Sequence, residues 1–226
     1  TLTLGGHGTY GNAGLNLAGG LTNAGTIDLT AVTYTGNTAT LTASSIANSG
    51  LIESLAGVYN QTRNLVGGTI TNTGTISANS ADLTVTNTGT TLDTSAGTLS
   101  AGSGRSMTIT NGTTVFGTNT TLTGPGTLYL AGTQTLSLAS DFTLAATGPS
   151  VVTSGAVTVS GSGRSFTSQG TLLLDGGDTV NTAFSNQATL TAYGANTVNG
   201  AFTNALGGTL TLGGHGTYGN AGLNLA

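Results

Sequence analysis

The acids of the chain are Asp28, Glu53, Asp82, Asp93, Asp141, Asp175 and Asp178. Paired carboxylates serve as the acid and base of glycoside hydrolysis, and clustered ones hold Ca²⁺. Only Asp175 and Asp178 stand close, in LLLDGGDTV (Leu172–Val180). No further ligand flanks them, and Asp-Gly-Gly-Asp between apolar runs reads as a turn. The calcium nonapeptide GGxGxDxUx does not occur. His7 and His215 are one position seen twice, in GGHGTYG. With no His or carboxylate at ligand spacing, that position reads as an exposed turn residue and not as a zinc ligand. The same run lacks the Lys and the following helix of a phosphate loop. The cations are Arg63, Arg105 and Arg164, with no Lys; the last two share the context GSGRS. They read as solvated loop residues or as partners for an acid on a neighbouring coil or protein. Cysteine is absent, which excludes disulfides and thiolate metal sites. These residues point to no catalytic group, metal or cofactor, and the chain is read as a non-enzyme.

The polar group that recurs with order is asparagine. The phrase apolar-Thr-Asn-x-Gly-Thr-apolar appears as LTNAGTI (Leu21–Ile27), IANSGLI (Ile46–Ile52), ITNTGTI (Ile70–Ile76) and VTNTGTT (Val85–Thr91). Looser copies are FTSQGTL (Phe166–Leu172), FSNQATL (Phe184–Leu190) and FTNALGGTL (Phe202–Leu210). Asn and Gly tolerate left-handed backbone angles, so the phrase reads as strand, bend, strand. Asn23, Asn48, Asn72, Asn186 and Asn204 are the structural turn or ladder candidates. Stacked one above another, their amides would bond in a column; as surface turn residues they would not. Both readings stand at this point. Asn87 breaks the spacing, and the better successor of ITNTGTISA (Ile70–Ala78) is DTSAGTLSA (Asp93–Ala101), which puts Ser95 where Asn72 was.

The segments around these bends alternate. TIDLT, TATLTA, DLTVT, MTIT, TLYLA and VTVS each carry an apolar residue at every second position, the mark of short strands with one apolar face. No 3.6-residue stripe with capping signals occurs, and 39 glycines are too many for helix interiors. The same bend recurring every 18–25 residues favours coils stacked in parallel over strands that reverse. The fold class is therefore all-β, a parallel β-solenoid, with about ten coils per 208 residues and ~50 Å of axis at ~4.8 Å per coil.

Residues Thr1–Ala18 recur letter for letter as Thr209–Ala226, an offset of 208. Residues 1–208 read as one complete unit of a tandem array and 209–226 as the start of the next. The two copies are expected to build superimposable coils. Charged residues make up 4% of the chain against about a quarter in ordinary domains. The net charge of −4 offers nothing to nucleic acid or an anionic membrane, and no apolar run is long enough for a membrane helix. Aromatics, at 5%, are too few for the girdles of a membrane barrel. Thr-x-Thr pairs are spaced too unevenly for an ice-binding array.

The phrases LTNAGTIDLT (Leu21–Thr30), ITNTGTISA (Ile70–Ala78) and AFTNALGGTLTLGG (Ala201–Gly214) resemble the repeat regions of large secreted bacterial exoproteins. These are the filamentous-haemagglutinin-like proteins of two-partner secretion and the passengers of autotransporters. The resemblance is one of repeat style and brings no functional residues with it. It implies a right-handed parallel β-helix, display outside the cell on a bacterial surface, and a part in adhesion, aggregation or biofilm. The leading expectation is a structural stalk whose partners are adjacent repeats stacked end to end, with lateral self-association and host or surface glycans as further partners. The alternative is a carbohydrate-binding face on the solenoid.

Overall fold

A computed structural model describes residues 1–32, 36–57, 61–87, 91–214, 219 and 222–226. Every regular element among them is a strand. Because the apolar residues alternate and no segment keeps its backbone bonds to itself, each strand must find partners in other turns of the chain. The pairings are parallel at every level, from Ala13–Asn23 on Ala39–Asn48 to Ala195–Val198 on Gly222–Leu225. The chain is thus a parallel β-solenoid of about nine turns. That is close to the count expected from sequence and slightly lower. Vertical neighbours lie 26 residues apart near the start and 18 apart from Phe166 through Phe184 to Phe202, so the early turns are longer than the ~20 residues expected from sequence.

Each turn has three runs. Ala39–Asn48 shows the first two: a first arm to Ala43, then a second arm from Ser45. Leu51–Ser54 is the third face, and Arg63 begins the next turn. Both arms belong to one fifteen-stranded sheet. The third face is a six-stranded sheet in the amino-terminal half and a four-stranded sheet in the carboxy-terminal half. Pro125 and Pro149 both fall outside strands, between third face and first arm, where no ladder needs their missing N–H.

Alternation sends every second side chain inward. Leu41, Leu65, Val85, Ile109 and Leu130 form one such column along the first arm, each essentially without exposure, while the Thr residues between them face out. Burying each such side chain is worth about 1.5–3 kcal/mol. All five phenylalanines of the chain form a second column. Phe116, Phe142, Phe166, Phe184 and Phe202 follow one another with ring centroids 4.8, 6.0, 5.4 and 5.4 Å apart. The last four belong to the four-stranded sheet in direct register.

The two identical end segments do not occupy equivalent places. Leu2–Gly6 lies on the third face against Thr26–Ala31, whereas the matching residues from Leu210 to Gly213 lie on the first arm, paired with Leu190 to Tyr193. Ala13–Leu17 lies on the first arm, whereas Gly222–Leu225 lies on the second arm against Ala195–Val198. The expectation of superimposable coils is therefore corrected. Alternation decides which side chains point inward, and it leaves open which of the three faces receives the strand.

The phenylalanine column generates a graded prediction. Phe184 is 1% exposed with a ring on either side, and Phe202 is half-buried at the end of the stack. Phe184→Ala should lower stability by about 3–5 kcal/mol and Phe202→Ala by clearly less. Urea titrations followed by circular dichroism measure both; equal effects would mean that the stack is not a cooperative interior column.

Candidate functional site

The candidate asparagines are placed by the strand-bend-strand phrase, which brings the same residue to the same corner of successive turns. Asn23, Asn48 and Asn72 stand in register at the corner between second arm and third face. The Nδ2 of Asn23 donates to Oδ1 of Asn48 at 2.7 Å, and that of Asn48 to Oδ1 of Asn72 at 2.7 Å. All three are 7% exposed or less. Asn186 and Asn204 stand in register with Ser168 at a different corner, between third face and first arm. There Nδ2 of Asn186 donates to Oδ1 of Asn204 at 2.7 Å. Asn186 is buried and Asn204, on the last level, is exposed.

The column above Asn72 departs from the sequence reading. Its Nδ2 donates at 3.1 Å to the hydroxyl of Thr94, which is fully buried, and Ser95 does not take that place. Before the bend Ile70 pairs with Leu92, and after it Thr75 pairs with Thr98. This bend therefore holds one residue more than the one below, and aligning the phrases from their ends hides that. Asn87, which broke the sequence spacing, lies on a third corner, between first and second arms, fully buried. Residues 88–90 of its phrase lie outside the described residues.

Sequence reasoning missed the bond that these side chains share. Nδ2 of each reaches the carbonyl just past the bend of the next turn. The pairs are Asn23 to Leu51, Asn48 to Thr75, Asn72 to Thr98 and Asn87 to Thr113, all at 3.1 Å, and Asn186 to Thr209 at 3.0 Å. One bond is thus made at all three corners. The glycine of the phrase also has a different reason from the one expected. Gly25, Gly50 and Gly74 do not take positive φ. A Cβ on Gly74 would lie 2.1 Å from the Gly50 carbonyl oxygen, and one on Gly50 would lie 2.1 Å from that of Gly25. At Gly50 and Gly74 close stacking of the bends, not left-handed backbone, demands glycine; Gly25, on the first of these levels, has open space at that position.

The two GSGRS turns follow the same logic. Gly104 and Gly163 have φ of 64° and 65°, a conformation that favours glycine. The Ser106 N–H donates to Asp82 Oδ1 at 2.8 Å, and the Ser165 N–H to Asp141 Oδ1 at 2.9 Å. Each acid thus comes from the turn below. The first stands between third face and first arm, the second between second arm and third face. His7 sits in a tight loop, its N–H donating to the Gly11 carbonyl at 2.8 Å, beside the exposed Tyr10. His215 lies outside the described residues. No group of three metal-ligating side chains occurs among the described residues.

Among the described residues two charged side chains, Arg63 and Asp178, lie inside. Arg63 is fully buried between Ala39 and Leu83 in the first-arm column; its Nη1 donates to the Asn37 carbonyl at 3.3 Å, while Nε and Nη2 have no partner among the described residues. Burial pulls its pKa down. Asp178 follows the Gly176–Gly177 turn, where both glycines take positive φ, and is 2% exposed. Its Oδ1 accepts from the Val157 N–H at 2.9 Å, and its Oδ2 accepts from the Thr153 hydroxyl. Asp175 and Asp178 thus bracket a turn, as the sequence suggests, and Asp178 points into the interior, out of reach of a substrate.

Burial pushes the Asp178 carboxyl up from 3.8 to about 6, and the nearby Asp175 charge adds to the rise. Between about pH 4 and pH 6 the folded chain then holds a proton that the unfolded chain has lost. This stabilisation is complete below about pH 4 and is lost as pH rises through about 6, a change of about 3 kcal/mol over the window. Urea midpoints at pH 4.5 and 7.5 should therefore show the wild type losing more stability on alkalinisation than Asp178→Asn. Parallel pH profiles for the two chains would show that Asp178 keeps an ordinary carboxylate pKa.

No family model matches this chain, nor does any curated protein or solved structure.

Proposed function

We propose that the chain is a structural repeat of an extracellular bacterial surface filament or adhesin stalk, giving a stiff fibre for adhesion, aggregation or biofilm. The observation that carries this reading is the axial stack itself: the pairings are parallel from Ala13–Asn23 on Ala39–Asn48 to Ala195–Val198 on Gly222–Leu225, so each turn presents to the next the same strand edges and apolar interior that it meets below. A turn without a neighbour leaves those edges open. The resemblance of the repeat phrases to secreted exoproteins supplies the right-handed winding, the surface location and the adhesive role. In this reading no residue is catalytic, and the polar side chains hold turns together.

The carbohydrate-binding alternative draws less support. A groove beside the ladder, lined by Thr22, Ala47, Asn48, Ser49, Thr71 and Thr73, holds about 90 Å³. Ligand pockets run to about 300–1,000 Å³. The phenylalanines that would stack on sugar rings are used in the interior column.

Open ends of this kind should associate. Sedimentation velocity of the purified 226-residue chain is expected to show a growing series of end-to-end oligomers as concentration rises through the micromolar range. A single sharp monomer boundary up to high micromolar concentration would argue for protected edges and against a slice of a filament.

A further inference from the structure

We infer that consecutive 208-residue units stack with their faces permuted by one, so that the asparagine corner of one unit continues straight into that of the next. The inference rests on the tandem-array reading above and specifies its geometry.

The identical end segments carry it. TLTLG is a third-face strand in its first occurrence and a first-arm strand in its second. The GLNL that follows moves with it, from first arm to second arm. In the first copy Leu21–Asn23 comes one face after GLNL, on the second arm. Continued from Leu225, the same residues of the following unit fall on the third face, directly above Phe202–Asn204. The chemistry of that column then runs without a break. Phe166 and Ser168, Phe184 and Asn186, and Phe202 and Asn204 lead into Leu21 and Asn23 of the next unit, then Ile46 and Asn48, then Ile70 and Asn72. At every level an inward apolar residue is followed two positions on by an inward polar one. Two short ladders in one unit become one ladder of five asparagines across the junction. Asn204, exposed on the last level, gains the neighbour that Asn186 already has.

Interchangeable corners make this permutation possible. The same amide-to-carbonyl bond is made at all three corners, and the GSGRS turn with its acid from below occurs at two. A strand phrase therefore finds equivalent partners on whichever face it arrives. One unit spans about nine and a third turns, or about 45 Å at ~4.8 Å per turn, and three units, about 135 Å, restore the starting face.

A cysteine pair in a chain of two consecutive units tests the permutation, and the absence of native cysteine keeps the background clear. Thr203 and Thr22 are both exposed and face outward. In the permuted stack, Thr203 of the first unit lies beside Thr22 of the second, ~4.8 Å apart and within the reach of a disulfide. In an unpermuted stack, Thr22 of the second unit lies beside the exposed Asn199 of the first. Thr203→Cys with Thr22→Cys in the second unit should oxidise rapidly and nearly completely, and Asn199→Cys with the same partner should not. The reverse result overturns the permutation and leaves the fibre reading standing. Crosslinking of neither pair, with strand circular dichroism intact in both reduced chains, overturns both, because the units then share no continuous solenoid.

Discussion

One turn of this chain cannot satisfy its own backbone. Its strands lie on three faces of a narrow coil, and the donors and acceptors of each point along the axis to the turns above and below. Everything else follows from keeping that axial stack in register. Charge is nearly absent because like charges repeated every ~4.8 Å would repel. Proline is confined to corners. The bends approach so closely that Gly50 and Gly74 of the Asn-x-Gly phrase have no room for a methyl group. A structure of this kind has its backbone cohesion along one direction only.

The corners are where the stack is most at risk, because a bend frees backbone groups that strands would pair. The chain answers with side chains directed inward and upward: a carboxamide to the carbonyl beyond the next bend, or an aspartate to the N–H of the next GSGRS turn. Where the bend gains a residue, at Thr94–Thr98, a buried hydroxyl replaces the amide and the column continues. Gln134 does related work between the two arms, its Nε2 donating to the Ile109 carbonyl at 3.0 Å and its Oε1 accepting from Thr114. Repetition of one solution at non-equivalent corners lets turns of 18 to 27 residues stack in one solenoid.

Alternation and recurrence made the fold class legible, since a period of two sets inward and outward and a recurring bend sets the coil. They do not carry rotation about the axis. That is why the end segments read as superimposable, and why Asn87 reads as an irregularity when it makes the same bond at another corner; Ser95 aligns on Asn72 for a different reason, the one residue that its bend gains. The phenylalanine column was available to sequence: five residues follow one another at intervals comparable to one turn, and three of them open the FTSQGTL, FSNQATL and FTNALGGTL phrases. The buried positions of Arg63 and Asp178 were not, because charged residues at strand starts and turns ordinarily face water.

Hydrogen exchange of the asparagine side-chain amides tests the central claim most directly, since it reads the corner bond itself and not the strands beside it. The Nδ2 protons of Asn48, Asn72, Asn87 and Asn186, buried at three different corners, should exchange orders of magnitude more slowly than those of the exposed Asn79 and Asn199. Protection shared by all four is the result this account predicts. Exchange of Asn87 or Asn186 as fast as the exposed amides would contradict it, because the corners would then not be closed by one common bond.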